Sequence, residues 1–468
     1  MAKPLLLTSE HAATIHEAAL LVLEKTGIYL NHEEAEALLL EAGATKDESA
    51  RILIPRNLVE EALEKASPQI QLYDRNGKES ILMGKGRTFF GPGSDALYNF
   101  DIQTRELRLS RLEDIRNNVR LADALGFDFI MSMALPEDVG HEKLYSVVFA
   151  EMLKNTTKPL VVTSTTIDDI RRNHEIAALV RGGKENLRKK PFWLAYIEPI
   201  SPLIFDERCT DRLLYCAEHR IPFLFAAGAN CGGGAPVTVE GGVVQGTAES
   251  LAGLTLATLK NEKVRFVYGT NTSAMDMRSM IISYGSPEWA KTVAMYAEMG
   301  EYYHLPSWGT AGCSDSYVID AQSSLEAYEG IFWAVQSGTT LAHDVGFLGH
   351  GEVYHPGMLI LTDMMIQRAR YVLRKVDLSE EALAIDVIDE VARSGDLYVA
   401  HPHTARHFRQ SLWIPPRWIF RDKIEQLYHK KELAELLTDE AASVLSRHNP
   451  EELPEETARQ IEEYCAAL

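Results

Sequence analysis

The feature that most constrains this chain is an alternation that begins near residue 87. Short β-rich apolar runs are each followed by a longer segment of helical periodicity. The runs fall at residues 88–90, 127–133, 159–165, 191–197, 222–227, 265–271, 305–310 and 339–345. Segments with three- and four-residue apolar spacing lie between them, for example at 112–125, 168–181, 206–219 and 286–303. Ser286-Pro287 is a helix start, an N-cap followed by proline in the first turn. Runs such as Leu160-Val161-Val162 and Phe223-Leu224-Phe225 are apolar throughout. That suits strands buried on both faces, as in a parallel sheet covered by helices. Eight such units predict an α/β fold, a (β/α)8 TIM barrel. An open doubly wound sheet is the alternative.

The flanks read differently. Residues 1–86 predict helices and one short hairpin. Ile15, Ala18, Ala19, Val22 and Leu23 share one helix face, and Gly27 ends that helix. Asn31, with Glu34 at the reciprocal position, is the expected cap of the next helix, and Pro55 opens a third. Residues 69–75 and 79–83 flank Asn76-Gly77 as a hairpin. The barrel is expected over 87–375, with a second hairpin at 96–109 standing at its mouth. Residues 376–468 are expected to be mostly helical, a tail or a belt, interrupted by Pro415-Pro416 and Asn449-Pro450.

Composition narrows the partners. Lys and Arg number 47 against 67 Asp and Glu, a net charge of −20. Such a chain repels phosphate backbones and anionic membranes, so neither is an expected partner. Five cysteines, without a C-x-x-C pair, argue for free thiols and against a structural zinc. Residues 1–10 lack a basic region followed by an apolar run, and no apolar stretch approaches a membrane span. The expectation is a cytoplasmic protein; homo-oligomerisation is compatible with the helical flanks.

In a (β/α)8 barrel the active site lies at the C-terminal ends of the strands. That rule selects Asp95 and Tyr98 after the first run and Tyr196 and Glu198 at the fourth. It selects Asn230 and Cys231 after the fifth and Asn271, with Arg278 beyond, after the sixth. Trp308 falls at the seventh, and Asp344, Phe347, His350, Tyr354 and His355 follow the eighth. The glycine-rich loop 228–234 lacks the Lys-Ser/Thr of a phosphate loop, and reads better as a place where something approaches the backbone closely. His350, Glu352 and His355 could be metal ligands by type, but their spacing is not that of a helical zinc pair. The aromatic side chains at strand ends could together form a box for a quaternary ammonium cation.

Two of these segments resemble the trimethylamine methyltransferase family: Gly309 to Gln322, with Ser314-Asp315-Ser316 and Asp320-Ala321-Gln322, and Gly349 to Met358. The second is similar to the glycine betaine branch. The resemblance implies a barrel that moves a methyl group from a methylated amine to the cobalt of a separate corrinoid protein. The trimethylamine enzymes carry pyrrolysine. This chain contains only standard residues, which points to the members acting on quaternary amines such as glycine betaine.

The chemistry fits that departure. A quaternary ammonium already has a stable neutral amine as leaving group, so no proton donor is needed at nitrogen. The barrel has to bind, orient and desolvate. A cation box of Tyr98, Trp308, Phe347 and Tyr354 is expected, with Glu198 at longer range. His350, Asn230 and Arg278, in that order, are the expected donors to a betaine carboxylate. The corrinoid, a cobalamin-type group, would come from the partner protein, and no tightly bound metal is expected. Competing readings are a zinc-dependent barrel methyltransferase, a quaternary-ammonium binding protein without turnover, and, last, a Schiff-base enzyme.

Overall fold

A computed structural model describes residues 6–84, 86–416, 418–421, 423 and 431–468. The eight apolar runs form one parallel sheet. Its strands are β1 (Phe89–Phe90), β2 (Ile130–Met131), β3 (Leu160–Val162), β4 (Trp193–Ile197), β5 (Phe223–Phe225), β6 (Phe266–Gly269), β7 (Ser307–Thr310) and β8 (Leu341–His343). They pair in chain order from β2 to β8, and β8 then pairs with β1. Between β1 and β2 the backbone bonds from Asp128 N to Phe90 O (2.7 Å) and from Met131 N to Pro92 O (2.9 Å) complete the circuit. Each strand is followed by a helix: α1 (Leu112–Ala124), α2 (Leu144–Asn155), α3 (Ile167–Arg181), α4 (Glu207–His219), α5 (Val239–Lys260), α6 (Pro287–Tyr302), α7 (Ala321–Ser337) and α8 (Pro356–Val372). Lys184–Lys189 adds a further short helix before β4.

The strands are short because only two to five residues of each must be buried on both faces. Inward side chains such as Phe129, Val161, Leu194, Leu224, Val267 and Trp308 fill the interior. The hairpin Ile70–Tyr73/Glu79–Met83 supplies Ile70, Leu72, Ile81 and Met83 to the same cluster. Its bonds from Tyr73 N to Pro191 O and Arg75 N to Thr157 O place it ahead of β4 and β3. The N-terminal hairpin therefore closes the bottom of the barrel, and only the C-terminal end is left for chemistry.

The first helix, Ser9–Lys25, is capped by Thr8 and ends before Gly27, whose φ is +59°. The second corrects the expected cap. It spans Glu33–Glu41, and His32, not Asn31, is its N-cap, with Nδ1 accepting from Ala35 N at 3.2 Å. A histidine ring nitrogen can replace the usual short oxygen acceptor there. The mouth hairpin forms as Tyr98–Phe100 with Leu107–Leu109. It joins Val353–Tyr354 and Phe347–Leu348 in a separate four-stranded sheet beside the mouth. At the C-terminus, helix Leu433–Arg447 packs on α8 and α1, and Glu455–Ala466 packs on α3 and α2. Among the described residues no helix is long and apolar enough to cross a membrane.

Candidate active site at the barrel mouth

At the end of β4, period-two alternation aims Tyr196 into the barrel top, and Glu198 follows it. The Tyr196 hydroxyl donates to Glu198 Oε2 at 3.2 Å and accepts from the Asn271 amide beyond β6. Asn271 Oδ1 accepts from Trp308 Nε1 at 3.3 Å and lies 3.4 Å from His343 Nε2. The Trp308 ring lies 4.2 Å from His343, and Tyr196 meets it edge-on at 6.1 Å. Four strands, β4, β6, β7 and β8, thus join into one aromatic and polar plate. Trp308 is fully buried, so the plate is the floor of the mouth.

Beside the Tyr196 edge of this plate lies a cavity of about 500 Å³, lined by Asp95, Tyr145, Thr163, Tyr196, Glu198, Arg208 and Arg212 among others. Asp95 Oδ1 accepts from Thr163 Oγ1 at 3.0 Å. Both carboxyls can be reached from the cavity, yet both lie deep in the molecule. Loss of solvation dominates and pushes each up to about 7, against the opposing pull of Thr163 on Asp95 and Tyr196 on Glu198. A third carboxyl, Asp344, is 2% exposed and sits just past β8 with φ of +62°. Such a conformation is costly for a non-glycine residue and is retained at functional sites. Its Oδ1 is 3.0 Å from His343 Nδ1, which nevertheless makes no well-angled hydrogen bond, and its charge helps to raise Asp95. Among the described residues none of the three carboxyls pairs with Lys or Arg at salt-bridge distance. Arg212, buried on the same cavity wall, pulls Glu198 down, yet desolvation outweighs it, so a further cation in the cavity would stabilise both carboxylates.

The glycine-rich loop contributes by close approach. A Cβ on Gly228 would lie 2.6 Å from Glu198 Oε1, so any side chain there would displace that carboxyl. Gly228 thus lets Glu198 rest against the backbone, the role expected of this loop.

The expected cation box does not assemble as a unit. Trp308 lies under the mouth, but Tyr98, Phe347 and Tyr354 belong to the four-stranded sheet beside it. Tyr98 is 37% exposed, and Tyr354 packs on Phe347 at 5.8 Å and faces a different cavity, with Phe100 and Asp114. Strand-end position specified their sequence neighbourhood but not the sheet they would join. Tyr145 and Tyr196 supply aromatic surface in the cavity instead. Arg278 points away, its side chain 91% exposed and paired with Asp276 at 2.9 Å. His350 is held by Asp315, Nδ1 to Oδ1 at 2.9 Å, which raises its pKa. Asn230 Oδ1 is buried with no hydrogen-bond partner among the described residues. Cys231 and Cys313 are buried free thiols, and no three His, Cys, Asp or Glu side chains among the described residues are grouped to hold a metal.

Asp315 is a strut rather than a reacting group. Besides His350 it accepts from Tyr284 N at 2.6 Å and Gly285 N at 3.1 Å, while Glu326 receives Ser314 Oγ at 2.6 Å and Asp315 N at 2.9 Å. The Ser-Asp-Ser segment therefore ties together the loops after β6, β7 and β8. Sequence reasoning did not single out Tyr145 or Arg208. Both lie near helix starts, α2 and α4, and the only signal for them was proximity to a strand's C-terminal end.

Comparison with known proteins agrees with this architecture. The sequence model of the trimethylamine methyltransferase (MTTB) family matches residues 2–467. A trimethylamine methyltransferase of Desulfitobacterium hafniense is 29% identical over 459 residues, 97% of this chain and 92% of the relative. A glycine betaine methyltransferase of the same species is 27% identical over 413 residues, 88% of this chain and 86% of the relative. The solved monomethylamine methyltransferase of Methanosarcina barkeri superposes with a TM-score of 0.50 at 14% identity, covering 93% of this chain and 91% of that one.

Proposed function

Because this chain belongs to the trimethylamine methyltransferase family, we propose that it transfers a methyl group from a quaternary amine, glycine betaine being favoured, to the Co(I) of a corrinoid protein. The observation that carries the reading is the pair of deep carboxyls, Asp95 and Glu198, on one cavity beside Tyr145 and Tyr196, both raised by desolvation, Glu198 despite Arg212 on the same wall. A small, permanently charged ammonium would stabilise both as carboxylates. Similarity to a glycine betaine methyltransferase, and the absence of pyrrolysine from the sequence, favour a quaternary over a tertiary amine.

The partner's corrinoid supplies the Co(I) electron pair that takes the methyl carbon. The N–CH₃ bond breaks with its electrons staying on nitrogen, so a neutral amine leaves, dimethylglycine from glycine betaine, and no proton is moved. The positive charge on nitrogen disappears as this happens. Asp95 and Glu198 therefore stabilise the bound cation more than the transition state, and their role is capture and desolvation. Acceleration comes from alignment: Tyr196, held by Glu198 and Asn271 and backed by Trp308, fixes the wall against which the methyl groups rest. Arg208, exposed on the rim of the same cavity, is the cation we assign to a betaine carboxylate. This moves the carboxylate role away from Arg278 and His350.

The mouth also suits an incoming protein. Ile200, Val237, Met277, Met280 and Ile281, on the loops after β4, β5 and β6, are 46–67% exposed. Flexible methionines among them give an adaptable apolar rim. Mixing the enzyme with Co(I)-cobalamin or the corrinoid protein and a panel of glycine betaine, carnitine, choline and trimethylamine tests the proposal. Methyl-Co(III) absorbance with betaine but not trimethylamine is expected. Turnover of trimethylamine alone contradicts the substrate assignment.

A further inference from the structure

We propose that a basic cavity at the closed end of the barrel binds a phosphate-bearing small molecule, a diphosphate or an organic phosphate. The cavity measures about 450 Å³ and lies beside the turn of the sealing hairpin. Arg75, Arg181, Lys189 and Lys190 line it, and no Asp or Glu does. In a chain of net charge −20, such a cluster runs against the overall balance.

The fold gathers these charges without neutralising them. Arg181, at the end of α3, donates to Asp74 O at 2.6 Å, Arg75 O at 2.7 Å and Lys190 O at 3.0 Å. Arg75 donates to Leu153 O at 2.6 Å and to Glu451 O, and Lys190 Nζ donates to Gly77 O at 3.1 Å. All of these acceptors are backbone carbonyls, which orient a cation but leave its net charge uncompensated. Lys189 reaches only Glu185, at 3.9 Å, with its side chain 67% exposed. Arg75 is 2% exposed, and its Nε has no hydrogen-bond partner among the described residues. Burial lowers its pKa, outweighing the more distant Glu451, Asp123 and Asp74. A deep guanidinium short of an acceptor is costly, and an anion in the adjoining cavity offsets that cost.

Local geometry holds the cluster in place. Gly77 has φ of +89°, and a Cβ there would lie 3.3 Å from Arg181 Nη1 and 3.7 Å from Lys190 Cδ. Glycine thus lets both cations close on the turn. The Arg181 guanidinium lies over Phe192 at 4.9 Å and the Lys190 ammonium over Tyr73 at 5.4 Å, which steadies both. Arg181 and Lys190 keep N–H donors beyond the bonds named above. Several converging cations suit a multiply charged phosphate better than a single carboxylate. Val180, Leu453 and Pro454 give the cavity an apolar wall that suits an organic remainder. Leu453 and Pro454 belong to the connection between the last two helices, so a bound anion also ties that connection to the barrel.

Calorimetric titration of the full chain at pH 8 and constant ionic strength tests this, with pyrophosphate, glycerol 3-phosphate and malonate as probes. Saturable binding of at least one phosphate is expected, one per chain, with malonate roughly ten-fold weaker or more. The tighter of the two phosphates tells which form the cavity takes. K189Q/K190Q, at exposed positions, should weaken phosphate binding roughly ten-fold or more with unchanged circular dichroism, whereas E198Q should leave it unchanged. No saturable phosphate binding up to about 10 mM overturns the proposal. So does malonate binding as tightly, an isotherm indifferent to K189Q/K190Q, or one abolished by E198Q, which would place the anion at the mouth.

Discussion

Glu198 concentrates the argument at the scale of the residue. Its carboxyl is deep, bonded to Tyr196 and seated against Gly228. Desolvation places both it and Asp95 near 7, so below that pH each is neutral and above it each is charged. Affinity for a quaternary cation should therefore rise with pH through about 7 and level above it. E198Q should flatten that rise and increase KM by roughly ten-fold or more with a smaller loss in kcat, because the carboxylate holds the ground state. Equal losses in both parameters would make Glu198 part of the transition-state machinery. The sign for stability is the reverse. A carboxyl whose folded pKa lies above its unfolded value binds more protons in the folded state, so the empty protein loses stability as pH rises from about 4.5 to about 7. D95N should consequently raise Tm at pH 8 by about 1–3 °C while weakening cation binding, the usual opposition between a site and the fold that carries it. R208Q should raise KM for glycine betaine several-fold and leave choline unaffected. If both substrates respond alike, Arg208 does not bind the carboxylate.

Among the elements, the loops are held by the strut at Asp315, which joins three of them and receives His350. D315N should release His350, lowering its pKa, and should loosen the rim. The expected cost is about 1–3 kcal/mol of stability for the charge-assisted bonds lost, read by denaturant titration together with the His350 resonance. An unchanged His350 titration would separate the two residues. The strands and most barrel helices were legible in the sequence, because continuous apolar runs and 3.6-residue spacing are direct consequences of burial on two faces or one. The family signature was legible too, but its meaning was not. Ser314-Asp315-Ser316 marks the family in the sequence, and in the fold it ties together the loops after β6, β7 and β8. The aromatic box failed for a related reason. Tyr98, Phe347 and Tyr354 follow strand ends, yet pairing between 98–100 and 353–354 draws them into another sheet, and such long-range pairing leaves no local mark. Asn31 lost its cap to His32 because the helix starts one residue later, where the ring nitrogen accepts from Ala35 N.

For the molecule as a whole, the two ends of the barrel divide the work. The N-terminal hairpin fills the bottom and the mouth keeps the carboxyls, with exposed apolar side chains around it. A net charge of −20 adds a field that draws small cations toward such a cleft. The central claim is that the mouth holds a permanently charged nitrogen for methyl transfer to cobalt. Calorimetric titration of the purified protein at pH 8 with choline, against its uncharged carbon isostere 3,3-dimethylbutan-1-ol, tests that claim most directly. Saturable binding of the cation that E198Q weakens at least ten-fold, with none of the neutral compound, is the predicted result; equal binding of both, or a cation isotherm indifferent to E198Q and D95N, would contradict it.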